Sequence, residues 1–139
     1  MNGKRSTVNA IVLAFALALN IAPGFAQDAY PSKPIRVIVP VPAGGNLDLV
    51  TRAVSERLSA NVGQPVVVEN RAGASSTVGT RFVAKSAPDG YTILAMANTF
   101  LSTPAVMPAA GYDPVEEFTG ISLLARIPNV LVIPESSPF

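Results

Sequence analysis

Along the chain, runs of β-branched residues alternate with stretches whose apolar positions recur every three or four residues. Ile35 to Val39 is the first such run, preceded by Tyr30-Pro31-Ser32-Lys33-Pro34, whose prolines disfavour helix and lead the chain in extended. The run stops at Pro42-Ala43-Gly44-Gly45. Beyond the glycines, Leu47, Val50, Val54 and Leu58 recur at helical spacing. This predicts a helix with those residues along one face and Asp48, Arg52, Ser55, Glu56 and Ser59 largely on the other. Asn46 is the predicted N-cap, and Asp48 lies in the first turn, where a carboxylate complements the helix dipole. Gly63, with Pro65 behind it, ends the helix.

The unit then repeats. Val66 to Glu69 reads as a second strand, followed by a small-residue turn from Asn70 to Thr77 and a helix through Val78, Phe82, Val83 and Lys85. Ala87-Pro88-Asp89-Gly90 closes that helix with turn residues, and Tyr91 to Ala97 reads as a third strand. Strands alternating with helices predict an α/β fold, an open parallel sheet of βαβ units with right-handed crossovers. All three strands then end on one edge. The turns at Gly44-Gly45, Gly73 to Thr77 and Asn98-Thr99 gather there, at the edge where open α/β sheets bind ligands.

After Phe100 the pattern changes. Thr103-Pro104 and Asp113-Pro114-Val115-Glu116 each set an N-cap ahead of a proline, predicting two short helical turns, the second with a box-like acidic residue. Ile121 to Ile127 and Val130 to Ile133 are apolar runs broken at Pro128-Asn129, expected to form one interrupted strand or two.

With 49% hydrophobic and 14% charged residues the chain is of globular composition, but part of the apolar excess is not core. Residues 1–26 open with Lys4 and Arg5, run apolar from Val8 to Ala22, and finish Pro23-Gly24-Phe25-Ala26. That is the layout of a secretory signal peptide with cleavage after Ala26, and the apolar run of roughly 15 residues is shorter than the ~20 a membrane span needs. Without the leader, eight cations face nine anions, a net charge of −1. Nucleic acid and anionic membrane surfaces are therefore poor partners, and an anionic guest must be held by local dipoles. The chain has neither cysteine nor histidine. Ser-His-Asp and Cys-His catalysis are thereby excluded, and a transition-metal site of the usual kind is not expected.

The candidate chemistry lies in the first glycine turn. Glycines let a guest approach the backbone, and the free N–H groups at a helix start suit a carboxylate or phosphate. A dinucleotide-binding oxidoreductase domain is the rival enzyme reading, because Glu69 at the end of strand two imitates a ribose-binding acid. Gly44-Gly45-Asn46-Leu47-Asp48 lacks the G-x-G-x-x-G spacing that this requires. Arg71 is a candidate carboxylate clamp or a structural residue, and Ser75, Ser76 and Thr77 have no base near them in sequence to make them nucleophiles.

Tyr30-Pro31-Ser32-Lys33-Pro34-Ile35-Arg36, Pro42-Ala43-Gly44-Gly45 with Asp48, Gly63-Gln64-Pro65-Val66-Val67-Val68-Glu69-Asn70-Arg71, Ala84-Lys85 with Pro88-Asp89-Gly90-Tyr91-Thr92, and Tyr112-Asp113-Pro114 with Phe118 follow one another in a specific order. Together they resemble the tripartite tricarboxylate transporter substrate-binding family, the Bug-type periplasmic solute receptors. The resemblance implies the first lobe of a two-lobed Venus-flytrap fold. Such a receptor captures a carboxylated small molecule and presents it to membrane permease subunits, as a monomer, with no catalysis and no cofactor. A solute-sensing receptor for a signalling system is the alternative within the same fold. The ligand residues it implies are Pro42, Ala43, Gly44, Gly45, Asn46 and Asp48 at the first turn, Ala74, Ser75, Ser76 and Thr77 at the second, and Asn98 and Thr99 at the third.

Two local departures stand out. Leu47 replaces a usual threonine or other small polar residue, and Arg71-Ala72-Gly73-Ala74-Ser75-Ser76 replaces a usual Arg-Pro-Gly-Ala-Gly-Gly. The implied organisation is a signal peptide over 1–26, a first lobe over 27–120 and a strand over 121–139 crossing toward a second lobe that is absent.

Overall fold

Three strands, β1 (Ile35–Val39), β2 (Val66–Asn70) and β3 (Thr92–Leu94), form one parallel sheet in the order β2-β1-β3 in the computed structural model. The structure describes residues 29–126, 128 and 132–137. The predicted leader and its cleavage point lie outside the described residues, as do Ile127, Asn129 to Leu131 and the last two residues. β1 is central, with Ile35 opposite Val66 on one side and Arg36 opposite Thr92 on the other. Its β-branched residues fill the core, and Ile38 and Val39 are fully buried.

Helix α1 (Asn46–Val62) connects β1 to β2 and packs on both, while α2 (Thr77–Ala84) connects β2 to β3 and packs on β1 and β3. Leu47 of α1 joins Val37 and Val39, whereas Phe82 of α2 lies beneath the Arg36 guanidinium. Side chains alternate along a strand, so the two helices cover opposite faces. The predicted βαβαβ order is therefore the observed one.

The burial of α1 differs from the periodicity. Asp48, Thr51 and Ser55 face the sheet, while Val54 is 36% exposed and Leu49 58%. Among the described residues no buried side-chain polar atom lacks a partner, and Thr51 Oγ1 donates to the Leu47 carbonyl at 2.7 Å. Leu47, Val50, Val54 and Leu58, together with Thr51 and Ser55, border an open groove of about 1500 Å³, shared with Val37, Ile93 and Phe118. The N-cap is Gly45, with Asn46 as the first helical residue, and Gly63 ends the helix at φ +68° as expected.

Strand β3 is shorter than the run Tyr91 to Ala97. Its ladder reaches the bond from the Ala95 amide to the Ile38 carbonyl at 2.9 Å. The next donor in register on β1 is Pro40, which has no N–H. Thr103-Pro104 does not start a helix but lies within α3 (Thr99–Val106), where Pro104 leaves the carbonyl of Phe100 without its intrahelical donor. The Tyr112 hydroxyl donates to that carbonyl at 2.9 Å, and Phe100, Tyr112 and Phe118 pack as an aromatic cluster.

Asp113 caps as expected, its Oδ1 accepting from the amides of Val115 at 2.8 Å and Glu116 at 3.0 Å. The reciprocal bond comes from Glu117 rather than Glu116, and the segment makes a single turn. Ile121 to Arg126 is exposed and joins no strand among the described residues.

At the amino edge of the sheet the opening motif and the Asp89-Gly90-Tyr91 turn hold each other. Tyr30 donates its hydroxyl to the Gly90 carbonyl at 2.8 Å, Tyr91 accepts from the Ser32 amide at 2.8 Å, and Lys33 Nζ lies 4.2 Å from the Tyr91 ring centroid. Two sequence words 56 or more residues apart are thus one contact, which leaves the carboxyl edge to the turns.

Candidate functional site

The three predicted turns follow the carboxyl ends of three adjacent parallel strands. Their bases are tied together. The Arg71 amide donates to the Val39 carbonyl at 2.9 Å, and a Cβ added to Gly79 of α2 would come within 2.8 Å of both the Arg71 carbonyl and Pro40 Cβ. Only glycine lets α2 approach so closely, and the second turn is thereby set beside the first.

The first turn, Pro42 to Asn46, is exposed throughout. Gly44 has φ +87°, which a side chain would strain, whereas Gly45 has φ −77° and open space where a side chain would stand. The amides of Asn46, Leu47 and Asp48 belong to the first turn of α1 and have no intrahelical acceptor. Behind them Asp48 is 2% exposed. Its Oδ2 accepts from the Gly44 amide at 2.9 Å and from Arg52 Nε at 3.1 Å, and its Oδ1 accepts from Asn70 Nδ2 at 2.9 Å. The hydrogen bond from Arg52, then those from Gly44 and Asn70, lower the Asp48 pKa to about 2. Asp48 is therefore a fixed anion that shapes the turn from behind, with its oxygens turned away from solvent.

The second turn stands in an unusual conformation. Gly73 has φ +139°, and Ala74, Ser75 and Ser76 follow at +43°, +53° and +72°. Three successive left-handed L-residues cost about 1–2 kcal/mol each, and two of them, Ser75 and Ser76, stand where the resembled pattern has glycine. The Thr77 amide closes the turn onto the Ala74 carbonyl at 3.1 Å. Ala74 and Ser75 are exposed, Ser76 is half-buried, and Thr77 is buried with its hydroxyl accepting from Arg81 Nη2 at 3.1 Å. Asn98 and Thr99 at the third turn are exposed and begin α3.

Arg71 and Glu69 are held in structure. Glu69 accepts from Arg36 Nη2 at 2.6 Å and from Arg71 Nε, and both guanidinium groups hold its carboxyl below the usual range. Arg71 also lies 3.7 Å from the Phe82 ring centroid. The Glu69 oxygens that would meet a ribose are thus already engaged. Among the described residues no cluster of three metal-ligating side chains occurs, and no helix is long and apolar enough to cross a membrane.

Three contributors escaped the sequence reasoning. Arg52 and Asn70 complete the polar network around Asp48, with Arg52 Nη2 donating to Asn70 Oδ1 at 2.7 Å and Asn70 Nδ2 to the Val41 carbonyl at 3.1 Å. The spacing of Asp48 and Arg52 by four on a helix was a usable signal. Nothing local marks Asn70 or Gly79, whose partners are distant in sequence.

An open parallel lobe with ligand-accessible turns along its carboxyl edge is the architecture of periplasmic binding proteins. Residues 50–139 match the model of the tripartite tricarboxylate transporter family receptor. The chain is 40% identical to the protein BugT of Bordetella pertussis over 128 residues, which are 88% of this chain and 38% of BugT. Among solved structures it resembles the periplasmic binding protein BugD, with 43% identity and a TM-score of 0.62 over 64% of this chain and 30% of that one. It also resembles MatC from Rhodopseudomonas palustris with bound malate, with 34% identity and a TM-score of 0.65 over 68% of this chain and 33% of MatC. This chain belongs to the tripartite tricarboxylate transporter receptor family. It spans about a third of the length of the relatives it matches.

Proposed function

We propose that this chain supplies the first ligand-binding lobe of an exported, monomeric receptor that captures a small carboxylate for the permease subunits of a tripartite transporter. The observation that carries the reading is the first turn: exposed backbone donors at the start of α1, open space over Gly45, and a buried polar network that fixes both. A carboxylate oxygen at Gly45 and Asn46 accepts from these amides and lies at the positive end of a 17-residue helix. Ala74 to Ser76 and Asn98-Thr99 border the same edge and supply further polar groups for the remainder of the ligand. Capture needs no bond-making, and the serine and threonine hydroxyls here serve as hydrogen-bond partners.

MatC, of the same fold, was solved with malate, so malate is the first probe. A thermal-shift screen of mono- and dicarboxylates beside their uncharged amides tests the reading. Dicarboxylates are expected to raise the melting temperature and amides to leave it unchanged. A shift with a nicotinamide dinucleotide, or none with any carboxylate, overturns it.

A further inference from the structure

The reading above, on which this inference rests, meets an electrostatic problem at Asp48. A carboxylate that is 2% exposed sits behind a turn whose outward amides are to hold a second anion. Left uncompensated in a poorly solvated place, it would repel the guest.

Arg52 lies one helical turn further along α1. Its Nε donates to Asp48 Oδ2 at 3.1 Å and its Nη2 lies 3.0 Å from Oδ1, a fork across both oxygens. The same Nη2 donates to Asn70 Oδ1 at 2.7 Å, which orients the Asn70 amide so that Nδ2 meets both Asp48 Oδ1 and the Val41 carbonyl at the start of the turn. Charge compensation and backbone position are thus set by one guanidinium.

We propose that Arg52 is a positioning residue of the carboxylate-binding turn, cancelling the charge of Asp48 and, through Asn70, anchoring Val41 so that the donors of Gly45 and Asn46 face an anion. An ordinary ion pair on a helix surface would contribute a few tenths of a kcal/mol to folding and would not select ligands by charge.

The test is an amide-shift titration of the whole chain with malate and with its uncharged diamide. Wild type, R52Q and the neutral double variant D48N/R52Q are compared. R52Q is expected to weaken malate about tenfold, more at low ionic strength, and to leave the diamide within twofold; removing the Asp48 charge as well should recover most of the loss. Equal losses for malate and diamide, or no recovery in the double variant, assign Arg52 a purely structural role and overturn the inference alone. A wild type that binds no carboxylate overturns the reading of the turn and this inference with it. If R52Q does not fold, R52K carries the test, since it keeps the charge and gives up the fork. A loss of malate affinity below tenfold with the diamide within twofold supports the inference, and a loss of tenfold or more, or an equal loss for the diamide, overturns it.

Discussion

The carboxylate of Asp48 accepts the amide hydrogen of Gly44 at 2.9 Å, so the first turn of helix α1 is tied back onto the loop that precedes it. The Asp48 pKa is lowered from 3.8 to about 2 in the folded chain. A carboxyl with a depressed pKa contributes stability that is complete above its unfolded value and lost as the pH falls through its folded one. Glu69, Asp89 and Asp113 are lowered too, by Arg36 and Arg71, by the Tyr91 amide, and by the Glu116 and Val115 amides. All four have the same sign. The melting temperature is expected to fall from near pH 4 toward pH 2, and Asp48→Asn to make that fall shallower. Circular dichroism melts across the interval check it; an unchanged slope would mean that Asp48 is not held as described.

The close approach of α2 to the sheet rests on Gly79. Alanine there places a methyl group 2.8 Å from the Arg71 carbonyl and from Pro40 Cβ, and backbone on one side cannot rotate away. Overpacking of this kind costs about 1–3 kcal/mol, partly offset by alanine's better helix propensity. Gly79→Ala is expected to destabilise by about 1–2 kcal/mol in a denaturant melt. A stabilised variant would show that α2 stands further from β1.

Ser75 and Ser76 occupy left-handed backbone, and neither side chain caps α2. Glycine at both positions relieves about 1–2 kcal/mol of strain per residue and gives back roughly half of it through greater freedom of the unfolded chain. The double variant Ser75→Gly/Ser76→Gly is therefore expected to gain about 1 kcal/mol in the same melt. A loss would mean that the serine hydroxyls contribute more than the backbone strain removes.

Much of this fold is legible in the residues. Ile35 to Val39, Val66 to Glu69 and the intervening helix appear where pattern and punctuation put them, because β-branched runs and glycine stops are local signals. Periodicity sets Leu47, Val50, Val54 and Leu58 along one face of α1, and of these Leu47 packs against Val37 and Val39 while Val54 is exposed. The buried positions of the helix are the small or hydrogen-bonded Asp48, Thr51 and Ser55, which hydrophobicity does not single out. Helix α3 is hidden by Pro104, which orphans the Phe100 carbonyl, and that acceptor finds Tyr112 twelve residues later, beyond the reach of any capping rule. At the candidate site, the conformation of the glycine turn is legible in Gly44-Gly45 directly. Its support by Arg52 and Asn70 is not, since Asn70 meets Val41 only after β1 and β2 have paired.

Gly45→Val tests the central claim most directly. The position has ordinary φ and nothing but the Pro42 carbonyl, at 3.9 Å, near the site of a new Cβ, so the variant is expected to fold and melt like wild type. Its side chain would stand where the proposed carboxylate would meet the turn. In a malate titration followed by amide shifts, the wild-type Gly45, Asn46 and Leu47 signals should move saturably. Gly45→Val should weaken binding more than tenfold, or ~1.4 kcal/mol, without a change in melting temperature. Equal malate affinity in the two proteins would contradict capture at this turn and move the site elsewhere on the lobe.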